Sequence, residues 1–272
     1  MTTVAEIAEI LESRFPPALA EDWDVNGLSV GDPGAEVTRV LFAVDPTLAV
    51  VDEAIEVGAQ LLVTHHPLML RGVTAVPTTS TKGAVIHRLI SHGIALYNAH
   101  TNADSAAGGV CDALAEVLGI DSPVPLLASA DHSGQGTGRI GMLPGPTTLG
   151  EFAQHVAQSL PATHHGVRVA GDLDGVVTTV AVVGGSGDSF LDAVRDSGAD
   201  AYVTADLRHH PASDARELAE LGDGRPYLID VSHFASEWTW LKGAAEHVAD
   251  AAAVDAVVST LNTDPWTARY GA

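Results

Sequence analysis

The chain holds one cysteine and two lysines among 272 residues, only 5% aromatics, and no apolar run near the ~20 residues that a membrane helix needs. Each scarcity excludes something. A lone Cys111 rules out an internal disulfide, fits a reducing cytoplasm, and reads as a small core residue. Lys82 and Lys242 are the only lysines, and 13 basic residues face 35 acidic ones for a net charge of −22. Binding to a phosphate backbone needs basic stripes, and none is present, so nucleic acid is not an expected partner and neither is a membrane. The opening Met1-Thr2-Thr3-Val4-Ala5-Glu6 lacks a positive region followed by an apolar one, so no signal peptide is expected and the expected location is cytoplasmic. Gly184-Gly185-Ser186-Gly187-Asp188 lacks both the Walker lysine and the G-x-G-x-x-G spacing, and no hydrolase elbow occurs there; it reads as a tight turn between a strand and a helix.

What is present is a globular composition, 46% apolar, long enough for two domains. Thr3 and Glu6 have capping-box spacing ahead of a helix over 4–13. A polar, turn-rich loop over 21–28 follows. Strands are expected at 37–44, 60–64 and 94–99, with helices at 48–57, 81–91 and 108–118 between and after them. Strands alternating with helices imply βα units around a mostly parallel sheet. Glycines and prolines punctuate 121–175, read as a connecting segment with some strand pairing, a helix near 148–160 and a short strand at 167–170.

The first pattern then returns. Val177-Thr178-Thr179-Val180 echoes Val37-Thr38-Arg39-Val40, Gly198-Ala199 echoes Gly58-Ala59, and Val203-Thr204 echoes Val63-Thr64, all at an offset of 140. The expectation is an internal duplication: an α/β fold of two similar lobes with mixed, mostly parallel sheets, residues 1–127 and 128–272, with the ligand site in the crevice between them.

Thirteen histidines stand out against so few lysines, and several are paired: His65-His66, His164-His165, His209-His210. His65-His66 sits at the carboxyl end of the 60–64 strand, where open α/β sheets bind ligands. His100-Thr101-Asn102-Ala103-Asp104 and His233-Phe234-Ala235-Ser236-Glu237 each follow a strand, and on a helical turn this spacing puts imidazole and carboxylate on one face. Imidazoles and carboxylates without thiolate suit Zn, Fe, Mn or Co. The set exceeds what one ion needs, so two divalent ions bridged by Asp104 or Glu237 are expected; such a site lowers the pKa of bound water from 15.7 to about 7. Adjacent residues at a strand end point apart, which predicts that His65 and His66 bind different ions. Asp206 and His210 are candidate neighbours of the site, His210 as a proton carrier. His87, His92, His132, His155, His164, His165 and His247 read as surface or local contacts.

Trp23-Asp24 with Gly27-Leu28, Thr64-His65-His66-Pro67, the His100 and His233 blocks and Gly108-Gly109 together resemble the Nif-three-like family, whose members are often labelled GTP cyclohydrolase 1 type 2 homologues. The resemblance covers most of the chain, least between 121 and 175. It implies two similar α/β domains, a dinuclear metal centre held by His65, His66, Asp104, His233 and Glu237 with His100 beside them, and a toroidal homohexamer. Here Asp24 is followed by Val25 and then Asn26, where the family has Asp-Asn, and Ser232 replaces a glycine. The implied activity is metal-dependent hydrolysis of a nucleotide ring or a related C–N or phosphate bond in a small-molecule substrate, with His100 or His210 moving protons. The alternative is a non-catalytic metal-binding, regulatory or metal-delivery assembly.

Overall fold

The structure is a computed structural model that describes residues 1–130 and 134–271; His132, read from sequence as a surface contact, lies outside the described residues. Chain contacts divide it into two units, residues 1–109 with 241–263, and residues 110–240 with 264–272.

The first unit opens with helix α1, Val4–Arg14, which buries Val4, Ile7 and Leu11 and is closed at its start by the Thr3/Glu6 capping box. Strand β1, Gly27–Val30, overlaps the last two residues of the stretch read as loop and extends beyond it. It is a short edge strand of four residues, antiparallel to its neighbour. Strand β2 (Arg39–Ala43), helix α2 (Leu48–Glu56), strand β3 (Leu61–Thr64), helix α3 (Thr81–Ser91) and strand β4 (Ala95–Asn98) follow as expected. Both β3 and β4 are buried along their whole length, which is why they read as continuous apolar runs. Helix α4, Thr101–Ser105, begins directly after His100.

The second unit begins with helix α5, Val110–Val117. Residues 121–175 are more than a connector. They supply strand β5 (Asp121–Ala128), the 13-residue strand β6 (Gly136–Thr148), helix α6 (Leu149–Ser159) and strand β7 (Arg168–Ala170), three of the six strands in this unit's sheet. Helix α6 and strand β7 fall where a helix and a short strand were expected; frequent Gly and Pro disguised β5 and β6, whose antiparallel pairing is interrupted by irregularities where such residues are tolerated. Strand β8 (Val176–Ser186), helix α7 (Leu191–Ser197), strand β9 (Ala201–Ala205), helix α8 (His209–Glu220), strand β10 (Tyr227–Val231) and helix α9 (His233–Trp238) complete it. Gly184, Gly185 and Ser186 belong to β8 itself, so the turn expected there starts later.

The chain then returns to the first unit as helix α10, Leu241–Ala252, and strand β11, Asp255–Val258, which pairs in parallel with β2. The first sheet has the order β1-β4-β3-β2-β11 and the second β5-β6-β8-β9-β10-β7. The boundary therefore falls elsewhere than at 127/128: residues 110–127 go with the second unit, and 241–263 with the first. No sequence signal at the expected boundary competes with the sheet edge that β11 completes.

Each unit contains a parallel β–α–β–α–β run in one register. Val40 faces Leu61, and Val180 faces Ala201; Val63 faces Tyr97, and Val203 faces Ile229. The 140-residue offset thus holds in the pairing of β2 with β3 and of β8 with β9. Among the described residues, no helix is long and apolar enough to cross a membrane.

Candidate metal centre

In the first unit, the carboxyl ends of β3 and β4 bring His65, His66 and His100 together. Their ring centroids lie 4.9, 5.2 and 5.5 Å apart pairwise, and they offer ligand atoms all within 4.8 Å of one another. β3 ends at Thr64, whose Oγ1 donates to the His66 carbonyl at 2.8 Å.

Each imidazole is fixed through Nδ1. His65 is fully buried, and its Nδ1 donates to the Ala99 carbonyl at 2.9 Å. His66 Nδ1 bonds Asp45 Oδ1 at 2.7 Å, and His100 Nδ1 bonds Asp24 Oδ1 at 2.7 Å. A carbonyl or carboxylate oxygen at Nδ1 makes that nitrogen the donor in each ring and leaves Nε2 as the nitrogen an ion would take. That is the tautomer a metal ligand needs, set by the partner of the other nitrogen. Asp104, on the short helix after His100, places Oδ1 3.7 Å from His65 Nε2.

The loop before β1 serves His100. Asp24 Oδ2 accepts from the Thr101 amide at 3.0 Å, from Thr101 Oγ1 and from Asn26 Nδ2, while Asn26 Oδ1 accepts from the His100 amide at 3.0 Å. The shifted Asn26 therefore still braces this loop. Burial works to raise the Asp24 carboxyl, but the hydrogen bonds from His100 and then Thr101 outweigh it and hold it well below the usual carboxylate range. The Trp23 ring stands edge-on to His100, 5.9 Å away.

In the second unit, His233 and Glu237 lie on α9, one turn apart. His233 Nδ1 bonds Asp206 Oδ2 at 2.7 Å, and its Nε2 lies 2.9 Å from Glu237 Oε1, so nitrogen and carboxylate are presented together. Asp206 adopts φ +56, a left-handed conformation uncommon for a residue with a side chain and frequent at functional sites. The hydrogen bond from His233 lowers its carboxyl below the ordinary range.

Gly185 is what makes room. Its φ is +68, and a Cβ there would lie 2.3 Å from Glu237 Oε1 and 3.2 Å from His233 Nε2. The Gly185 amide is tied to Ser236 Oγ at 2.9 Å, and its carbonyl accepts from Thr204 Oγ1 at 3.0 Å. Ser232, in place of a glycine, caps α9 and donates to Asp264 at 2.7 Å.

The donor set fits divalent first-row ions: oriented imidazoles, carboxylates, no thiolate, and a glycine where a side chain would fill the cradle. His210 is exposed in the first turn of α8 with its ring 5.0 Å from His209, and the neighbour that holds His233 is Asp206. Sequence reasoning missed Asp45 and Gly185. Asp45 stood in plain sight as the Asp-Pro that ends β2, at the same sheet end as His65 and His66.

Residues 2–265 match the family model for Duf34/NIF3 (NGG1p interacting factor 3). The chain belongs to the Duf34/NIF3 family. A relative from Streptomyces coelicolor named GTP cyclohydrolase 1 type 2 homolog is 50% identical over 276 residues, covering 99% of this chain and 95% of its own. Among solved structures, a Bacillus cereus protein related to NIF3 superposes with a TM-score of 0.88 at 29% identity, covering 98% of this chain and 99% of its own. The Staphylococcus aureus hypothetical protein SA1388 gives 0.86 at 31% identity, covering 97% and 98%. The mixed α/β fold with two sheets is thus that of structurally characterised NIF3 relatives.

Proposed function

We propose that this Duf34/NIF3 chain is a dinuclear metal-dependent hydrolase whose two units arose by duplication and together hold two divalent ions, Zn, Fe, Mn or Co. His65, His66 and Asp104 would come from one unit and His233 and Glu237 from the other. The observation that carries this reading is the Nδ1 anchoring of four imidazoles, His65, His66, His100 and His233, each to an oxygen acceptor. Histidines kept merely as rim residues have no need of one shared anchoring nitrogen.

When bound, two such ions supply Lewis-acid polarisation and a water acidic enough to ionise near neutral pH. The chain supplies the rest. His100, held by an ionised Asp24, presents a basic Nε2 beside His65 and His66 and takes or returns a proton. We assign the proton-moving role to His100 alone. The name carried by the relatives supports a nucleotide ring or a related C–N or phosphate bond as the target. We take the assembly to be a cytoplasmic, toroidal homohexamer; light scattering should then give six times the 28.0 kDa chain mass.

The net charge of −22 favours a second reading, a non-catalytic metal-binding or delivery assembly, because a polyanionic nucleotide would meet a repulsive surface. Elemental analysis of native protein, followed by turnover of GTP and a phosphoester panel by metal-loaded wild type and His65→Ala, decides between them. Turnover that falls with His65→Ala supports the hydrolase. Metal retained without any turnover supports the second reading, and absence of metal from protein purified without chelators refutes both.

A further inference from the structure

Helix α8 is an unusual partner for its sheet. A helix laid on a sheet ordinarily buries an apolar stripe, yet of its 12 residues only Ala219 is buried. The stripe that meets β7 and β10 is His209, Ala212, Ser213 and Arg216, at i, i+3, i+4 and i+7. Small and polar residues at these positions leave a cavity of ≈ 350 Å³, which Arg168 and Asp230 also line, with Leu207 and Leu228 as apolar wall. That volume is at the lower end of the range for small-molecule sites, roughly 300–1,000 Å³.

The charged groups in this cavity are fixed by their neighbours. Arg168 Nε donates to Asp230 Oδ2 at 2.8 Å, and its Nη2 bonds the same oxygen. Asp230 also accepts from His165 Nε2 at 2.9 Å and from the Leu207 amide at 2.9 Å. Arg216 Nη1 donates to the carbonyls of Gly224 and Pro226, each at 2.7 Å, its Nη2 pairs with Glu220, and its guanidinium lies 5.7 Å from the Tyr227 ring. The one carboxylate in the cavity is therefore surrounded by donors already. What remains for a ligand is donor-rich: the far edge of Arg168, the Ser213 hydroxyl and the His209 ring.

We propose that this cavity binds a small phosphate monoester on a short apolar body. Donors converging from several directions suit a group with three acceptor oxygens, and guanidinium is the side chain best matched to it. In a chain with a net charge of −22 two guanidinium groups meet at this cavity, each paired with one carboxylate, Arg168 with Asp230 and Arg216 with Glu220. Asp230 and Leu207 lie at the carboxyl ends of β10 and β9, where α/β sheets take their ligands. The inference stands apart from the metal reading, since none of its residues is a proposed ligand of an ion.

The test is calorimetric titration of the full chain with phenyl phosphate, with and without EDTA, alongside benzoate. Wild type should bind phenyl phosphate saturably near about 1 mM in both conditions, and benzoate at least about tenfold more weakly. Arg168→Gln, at a side chain more than half exposed, should weaken phenyl phosphate binding about tenfold. Ala212→Leu, which fills the cavity without touching a charge, should abolish it. Metal content should be unchanged in both variants, with circular dichroism confirming that each folds; if Arg168→Gln does not fold, Ala212→Leu carries the test. Absence of saturable binding, binding unaltered by Ala212→Leu, equal binding of benzoate, or binding lost in EDTA would each overturn the proposal.

Discussion

Gly185→Ala tests the geometry of the metal centre at one atom. Two costs are separable. The first is conformational: an alanine held at φ +68 pays about 1–2 kcal/mol, the penalty of the left-handed region for a residue with Cβ. The second is steric. The new Cβ would lie 2.3 Å from Glu237 Oε1, against an ordinary contact of roughly 3.4 Å or more, so the carboxylate must retreat by about 1 Å. Glu237 is buried on a helix and cannot retreat without turning away from His233. Displacing a ligand by that much should lower metal affinity at least as far as loss of a supporting contact does, about 10–100-fold. Gly198→Ala is the control: its φ is +74, but no atom stands within 4 Å of the added Cβ. In the chelated protein Gly198→Ala should lose the conformational part alone, a drop in Tm of about 2–8 °C, and Gly185→Ala should lose more because the overlap with Glu237 remains. Only Gly185→Ala should lose metal, read by competition with a chromogenic chelator. If Gly185→Ala binds metal like wild type, or if Gly198→Ala loses as much, the cradle is not the ligand site.

Three further outcomes follow from the same contacts. Asp45→Ala removes the acceptor that orients His66 and should cut metal affinity about 10–100-fold, while Asp45→Asn, which keeps an acceptor oxygen, should recover part of it; equal affinity in all three proteins would refute the orienting role. The Asp24 carboxyl is depressed in the native state, so the native chain binds fewer protons there than the unfolded chain between the unfolded value of about 3.9 and its own lower value. The stability advantage of wild type over Asp24→Asn should therefore be complete above about pH 4 and shrink as pH falls below it, which urea midpoints from pH 7 to 3 would register; an advantage that grows on acidification would reverse the assignment. Arg139→Ala strips the partner from Asp112 and from the Gly136 and Gly138 carbonyls and should cost about 3 kcal/mol in urea unfolding, the low end for a broken buried pair because Asp112 keeps 25% exposure; a cost below about 1 kcal/mol would mean the network is solvated.

The parts of the fold legible in sequence share one physical property. β3, β4, β9 and β10 are buried on both faces, so their composition is apolar throughout and their ends are marked by the polar residues that face the site. β5 and β6 pair antiparallel at one margin of their sheet, where glycine and proline are allowed, and their pattern dissolved into an apparent connector, while β7 was legible as the short strand at 167–170. β11 escaped notice for another reason. A strand contributed from the far end of the chain carries nothing in its own four residues to say which sheet it joins. The site shows the same division. His65, His66, His100, His233 and Glu237 were legible because reactive side chains after buried strands are conspicuous. Asp45 and Gly185 act on a neighbour's orientation and on empty space, and neither property is written in local sequence.

Under the proposed duplication, the 140-residue offset also accounts for how the supporting carboxylates are distributed. Ala205 and Asp206 occupy the positions that correspond to His65 and His66, directly after the equivalent strand. In the second unit that position carries Asp206, which reaches the imidazole after the next strand, His233. In the first unit it carries His66, so no carboxylate is available there for His100, the imidazole after β4. Asp24 fills the role instead, from a loop with no counterpart among the strand–helix repeats, and Asn26 and Thr101 secure it from either side. Asp24 and Asp206 thus perform one task from unrelated places in the chain, and the polar loop before β1 is accounted for by the position that His66 occupies. The consequence is testable as a pair: Asp24→Ala and Asp206→Ala should each free one imidazole, His100 or His233, and a nuclear magnetic resonance titration should show each ring losing its fixed Nδ1–H tautomer while the other keeps it.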